Sequence, residues 1–322
     1  MKPLISIYKL TKYVKKDKVL FLNYFNKTKL LNNVSFNIYE KEMIGLVGES
    51  GSGKSILGNI LVNLSSADSG KIYYKNKEFL EYNQRELKKK LQIVFQDPKT
   101  VLNLKMTVYQ IISEPIVSHK LYKQKAEILD NVKKLMKEVS LKEKYLYKLA
   151  EDLNLINLKK LMFARALSLN PEFIVIDELL SQQDSIQLNF TIQLIRKVKK
   201  KRNISILLIS SNLKLILKLV DRLAVFYKGN LIEIIPKSRF SEMGLHPYTE
   251  LLFNKTDKDI DDIENYLQLF KVKRKPVENR CVFLDRCTFV QDICYQKKPK
   301  FKELEEEHFV SCLLYEDKKE EL

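Results

Sequence analysis

Met43-Ile44-Gly45-Leu46-Val47, followed by Gly48-Glu49-Ser50-Gly51-Ser52-Gly53-Lys54-Ser55, is the stretch that decides how this 322-residue chain is read. Met43–Val47 has the apolar continuity of a short buried strand, and Ser55–Val62 opens a helix with an apolar stripe. The eight residues Gly48–Ser55 fit G-x-x-x-x-G-K-[ST] in the strand–loop–helix setting that gives the pattern its meaning. Backbone N–H groups of such a loop converge with the helix N-terminus on phosphate oxygens, and glycine lets the backbone approach closely. Lys54 then reaches the β- and γ-phosphates, and Ser55 ligates Mg²⁺. Gly48, Glu49, Ser50, Gly51, Ser52, Gly53, Lys54 and Ser55 together predict a nucleoside triphosphate site.

Working outward, the glycine distribution agrees. The chain has only eight glycines, well under the usual ~7%, and Gly45, Gly48, Gly51, Gly53 and Gly58 crowd into this one region. A chain that spends glycine so rarely keeps it where a side chain would obstruct the backbone. The second half of the site should lie at the end of a later buried strand. Phe173-Ile174-Val175-Ile176-Asp177-Glu178 supplies it, with Asp177 placed to hold Mg²⁺ and Glu178 to polarise the attacking water as general base.

Length and composition bound the rest. At 37.9 kDa and 45% hydrophobic residues the chain can bury a large core, and about two domains are expected. Apolar runs such as 204–210 fall far short of the roughly 20 residues that cross a bilayer, and the first residues carry no secretory pattern. A cytoplasmic protein is expected. The net charge of +17 suits nucleic acid or an anionic membrane surface, but 48 of the 57 basic residues are lysine, scattered among acids as on a solvated face. Charge alone selects no partner.

Beyond the phosphate loop the sequence resembles the ATP-binding subunits of ABC transporters. Leu91-Gln92-Ile93-Val94-Phe95-Gln96-Asp97-Pro98 is similar to their strand into the Q-loop, and Ala164-Arg165-Ala166-Leu167 with Asn170-Pro171 to the helix before the metal-binding strand. Ser181 and Asp184 match the ends of the D-loop, and Tyr13 resembles the aromatic that stacks on adenine. His246-Pro247-Tyr248-Thr249 and the four cysteines Cys281, Cys287, Cys294 and Cys312 resemble the oligopeptide/dipeptide importer branch. The resemblance implies a P-loop NTPase of α/β class: a nucleotide-binding domain over 1–255, a helical subdomain at about 98–160 and a cysteine-containing extension over 256–322. ATP and Mg²⁺ are the implied cofactors, with Mg²⁺ on Ser55, Gln96 and Asp177; Gln96 also meets the catalytic water beside Glu178.

Members of this branch hold a [4Fe–4S] cluster on such cysteines, which the resemblance implies for Cys281, Cys287, Cys294 and Cys312. Their wide spacing suits a cluster better than a zinc knuckle, with zinc and idle thiols as the alternatives. His308 reads as a helix-end residue rather than a ligand.

Two motifs depart from the family's pattern. The signature L-S-G-G-Q, whose backbone clamps the partner's nucleotide, falls at Leu153-Asn154-Leu155-Ile156-Asn157, without the serine or either glycine. The switch histidine falls at Ser211, and no nearby histidine replaces it. The implied assembly is a heterodimer with a second ATPase subunit, peripheral at the cytoplasmic face of the membrane on two transmembrane permease subunits, with a peptide-binding protein as an indirect partner. A non-catalytic regulatory subunit and a soluble ABC ATPase acting on nucleic acid are the alternatives, the latter disfavoured by the single nucleotide domain and importer-type tail.

Overall fold

The computed structural model describes residues 2–15, 27–179, 185–242, 244–254 and 280–316. Ser181 and Asp184 lie outside the described residues, as does the start of the expected cysteine-containing extension, 256–279.

In chain order, β1 (Pro3–Lys15) and β2 (Lys27–Tyr39) precede β3 (Met43–Val47), α1 (Lys54–Leu61), β4 (Ser69–Tyr74) and β5 (Lys77–Glu78). Helix α2 (Gln84–Lys90) leads into β6 (Leu91–Val94), and the helices α3 (Pro98–Val101), α4 (Val108–Ser118), α5 (Lys125–Glu138) and α6 (Leu155–Leu167) follow. The second half runs through β7 (Phe173–Asp177), α7 (Ser185–Arg202), β8 (Ser205–Ile209) and α8 (Leu213–Leu217). It closes with β9 (Arg222–Tyr227), β10 (Asn230–Pro236), α9 (Pro247–Asn254), β11 (Lys302–Glu305) and β12 (His308–Val310).

Met43–Val47 is buried along its whole length because β3 is an interior strand, parallel to β8 on one side and β9 on the other. Parallel strands covered on both faces are uniformly apolar, which is why 173–176 and 205–209 read the same way. They belong to an eight-stranded sheet of order β11-β12-β10-β9-β3-β8-β7-β6. A separate antiparallel sheet, β2-β1-β4-β5, lies over the N-terminal half.

Helix α1 is caught between the sheets. Its Leu57, Ile60 and Leu61 join Ile5, Ile38, Phe173 and Phe226 in one core. A second core lies beneath α4, α5, α6 and α9, where Ile112, Val132, Leu161 and Tyr248 meet the other face of the large sheet. Thr107 starts α4 with a reciprocal capping box to Gln110, which fixes where the helical region begins. Buried Glu138 at the end of α5 takes a two-pronged bond from Arg202 at the end of α7, 2.7 Å on each arm, tying the helical region to the sheet layer.

Strands β9 and β10 form a hairpin around Lys228-Gly229, but it does not end the sheet. Strand β12 adds to β10 with Glu233 opposite Val310, so the C-terminal extension completes the nucleotide-domain sheet. His308 therefore stands on a strand and not at a helix end. Its Nε2 lies 2.7 Å from the wholly buried Glu233, which also accepts the backbone N–H groups of Leu245 (2.7 Å) and His246 (2.9 Å). A buried carboxylate needs such partners, and this one fastens the extension in place.

Candidate nucleotide site

The chain leaves β3 at Gly48 and enters α1 at Lys54, so the loop between them sits at the C-terminal edge of the parallel strands. Gly48 has a φ of 147° and lies against β9: a Cβ there would stand 2.1 Å from the carbonyl oxygen of Phe226. Gly53, with a φ of 99°, would meet the Leu30 carbonyl at 2.4 Å. Both positions exclude any side chain, and this close packing holds the loop in its cradle shape. Lys54 curls back into it, with Nζ donating to the carbonyls of Gly48 (2.7 Å) and Glu49 (2.8 Å).

Neighbouring strands deliver the acids. Asp177 ends β7, and its Oδ1 accepts the Ser55 hydroxyl at 3.1 Å. Burial pushes the Asp177 carboxyl above its ordinary range and the charge of Glu178 adds to this, while the Ser55 hydroxyl and Lys54 pull it back. Glu178 has left-handed backbone (φ 48°), unusual for a glutamate, held by its N–H bond to the Ile209 carbonyl at 3.0 Å. Ser211, just past β8, donates both its N–H (3.1 Å) and its hydroxyl (3.2 Å) to one oxygen of the Glu178 carboxylate. The residue at the expected switch position thus grips the Glu178 carboxylate.

A cavity of about 410 Å³ gathers these parts. Gly48, Ser50, Gly51, Ser52, Gly53, Lys54 and Ser55 line it together with Gln96, Glu178 and Ser211. Residues as far apart in the chain as Gly48 and Ser211 therefore meet around one cavity. The oxygen donors of Ser55, Gln96 and Asp177 are of the hard kind that suits magnesium. Two loop-associated residues sit elsewhere. Glu49 turns away from the cavity, its N–H donating to Tyr248 Oη at 3.1 Å and its buried carboxylate pairing with Arg286. Tyr13 lies on β1 beyond the lining residues, part exposed, with Lys29 Nζ 5.5 Å from its ring centroid.

The degenerate signature folds as a plain helix start. Asn154 caps α6, its side-chain oxygen accepting the Asn157 N–H at 3.0 Å, so this amide receives a hydrogen bond locally. Leu155 is 37% exposed at the first position of the helix, in place of a small residue.

The four cysteines are free thiols that line one small cavity of about 10 Å³ near His246 and Phe283. Burial pushes Cys281 up to about 11 and Cys312 up to about 12. Among the described residues no group of three or more His, Cys, Asp and Glu side chains is arranged to hold a metal ion. The four cysteines lie around one cavity, but their arrangement does not amount to a formed metal centre.

The glycine-cradled loop, the strand-end acids and the flanking helical region define a P-loop ATP-binding cassette. A family model described as ABC transporter matches residues 31–181. The putative oligopeptide transport ATP-binding protein YkfD of Bacillus subtilis is 34% identical over 296 residues, covering 89% of this chain and 90% of that protein. The oligopeptide transport ATP-binding protein AppF of the same organism is 31% identical over 322 residues, covering 97% of each. Among solved structures, cbiO1 from Clostridium perfringens, part of the ABC transporter complex cbiONQ, superposes with a TM-score of 0.64 at 22% identity. It covers 83% of this chain and all of that one, and at this identity the likeness speaks for the fold. The chain belongs to the ABC transporter family, as an ATP-binding subunit with the ATPase fold and site of that family.

Proposed function

We propose that this subunit drives uptake of oligopeptides, coupling ATP binding and hydrolysis at its own loop to movement of a membrane permease. The observation that carries the reading is the convergence of Lys54, Ser55, Gln96 and Glu178 on one cavity, with Asp177 bonded to Ser55. The names of relatives matched along nearly their full length support the oligopeptide as cargo. Mg²⁺ belongs on Ser55, Gln96 and Asp177, where it would neutralise phosphate charge and lower the raised Asp177 carboxyl. Lys54 orients the β- and γ-phosphates, and Glu178 accepts the proton of the attacking water.

None of the helices among the described residues is long and apolar enough to cross a membrane; in this reading, separate permease subunits span it. A groove of about 320 Å³ between the sheet layer and the helical region, lined by Phe95, Leu102, Pro115 and Met162, supports docking of a permease helix beside Gln96. The partner ATPase is a different chain: the Leu153–Asn157 helix start offers poor clamping to a nucleotide on the opposite subunit, so an identical partner would impair both sites. Expression with candidate permease and partner genes, followed by ATP-dependent peptide uptake in proteoliposomes, tests this. Uptake by a complex containing only copies of this ATPase would contradict the heterodimer.

A second reading has one specific observation in its favour. Ser211 ties up the Glu178 carboxylate with two hydrogen bonds, as suits a site that holds nucleotide and turns it over slowly. The four convergent cysteines support a [4Fe–4S] cluster in the extension, which would require the buried thiols to lose their protons and draw together. Iron and acid-labile sulfide counted after anaerobic purification decide it, and zinc in their place would favour the alternative.

A further inference from the structure

The C-terminal extension reaches the phosphate loop through one side chain. Arg286 ends the turn Leu284–Arg286, between Cys281 and Cys287, and is only 8% exposed. Its Nη1 donates to Glu49 Oε2 and to Tyr227 Oη, each at 3.0 Å, while Nη2 stands 2.9 Å from Glu49 Oε1. Glu49 is equally buried, in the second position of the phosphate loop. Its carbonyl oxygen accepts Lys54 Nζ at 2.8 Å and the Ser52 N–H at 3.1 Å. Two hydrogen bonds, one to the side chain and one to the carbonyl of Glu49, therefore connect the extension to the Lys54 ammonium. Phe283 braces this path, its ring 5.1 Å from that of Tyr227 and 5.5 Å from that of Tyr248.

Electrostatics gives the contact a second role. A buried carboxylate beside a phosphate site opposes the binding of a polyanion unless a cation neutralises it. The loop has Lys54 for the nucleotide, and the charge on Glu49 is met from outside the loop by Arg286. We propose that Arg286 is a positioning residue of the nucleotide site, holding and neutralising Glu49 so that the C-terminal extension sets the loop's affinity for nucleotide. This rests on the loop being the ATP site, and it adds a residue from the far end of the chain to it.

The test is titration calorimetry of the full-length chain with Mg·ADP. Arg286→Gln should weaken binding by about tenfold. Arg286→Lys, which keeps the charge but loses the planar guanidinium, should fall between this variant and wild type. The charge-neutral pair Glu49→Gln with Arg286→Gln should recover binding to within about threefold of wild type, because the two effects are coupled. A purely structural strut predicts the reverse, since the double variant loses more contacts than either single one. Wild-type affinity in Arg286→Gln, or a double variant no better than the single, overturns the proposal. Should Arg286→Gln not fold, wild-type affinity in Arg286→Lys together with loss of binding in the double variant overturns it equally. Failure of the wild-type chain itself to bind Mg·ADP would instead remove the nucleotide reading, and the clamp with it.

Discussion

Gly48→Ala is the perturbation whose size follows most directly from the structure. The added Cβ would stand 2.1 Å from the Phe226 carbonyl oxygen, a backbone atom of β9 that has no freedom to turn aside. Relief to an ordinary contact near ~3.3 Å moves the loop by roughly 1.2 Å. The φ of 147° adds strain of about 1–3 kcal/mol for any residue with a side chain. A shift of that size carries loop N–H groups from about 2.9 Å to about 4 Å from phosphate oxygens, beyond hydrogen-bond range. Losing two charge-assisted bonds of about 1.5–3 kcal/mol each predicts at least ~100-fold weaker binding of Mg·ATP. The assay is a nucleotide titration beside a thermal melt, with Leu80→Ala, 84% exposed and away from the cavity, as the control that keeps wild-type values. Binding within about threefold of wild type by a folded Gly48→Ala protein would refute the close-packed cradle.

Other outcomes are expected of the acids and histidines. His246 is wholly buried with Nδ1 accepting the Tyr248 N–H at 3.0 Å, and burial pushes it down to about 4. Because the folded value lies below the unfolded one, its stabilising contribution is full above about pH 6.5 and is lost as pH falls towards 4. Melts should drop across that window by up to about 3 kcal/mol, and His246→Gln should flatten this part of the profile. Ser211→Ala keeps the backbone bond to Glu178 and removes the hydroxyl bond, so ATP turnover should change by less than about tenfold. A collapse would mean that the hydroxyl handles phosphate itself.

Much of this was legible because the motif residues are local and their spacing is physically dictated. Five consecutive apolar residues ended by a glycine-rich turn suit an interior strand, and G-x-x-x-x-G-K-S at its end leaves little choice of backbone. The strand-end pair Asp177 and Glu178 announced itself in the same way. Sequence could not show what depends on long-range packing. The side chain of Glu49 has no local signature that turns it away from the cavity; only Arg286, 237 positions later, and Tyr248 do so. His308 lacks the alternating pattern of a long strand, and β12, three residues long, exists because β10 offers an edge and Glu233 an acceptor. Ser211 lies just past β8, and its partner, the Glu178 carboxylate, is set by the strained backbone of Glu178, which no pattern encodes.

The central claim is that this subunit's own site hydrolyses ATP, with Glu178 as the base. Glu178→Gln tests it with little structural cost, because the amide oxygen still accepts both bonds from Ser211. The measurement is ATP turnover by the reconstituted transporter carrying this substitution in this subunit alone. A fall of about 10²-fold or more, with nucleotide binding intact, is what a general base at Glu178 predicts. Turnover unchanged within about threefold would contradict it, and assign this site to holding nucleotide while the partner's site does the chemistry.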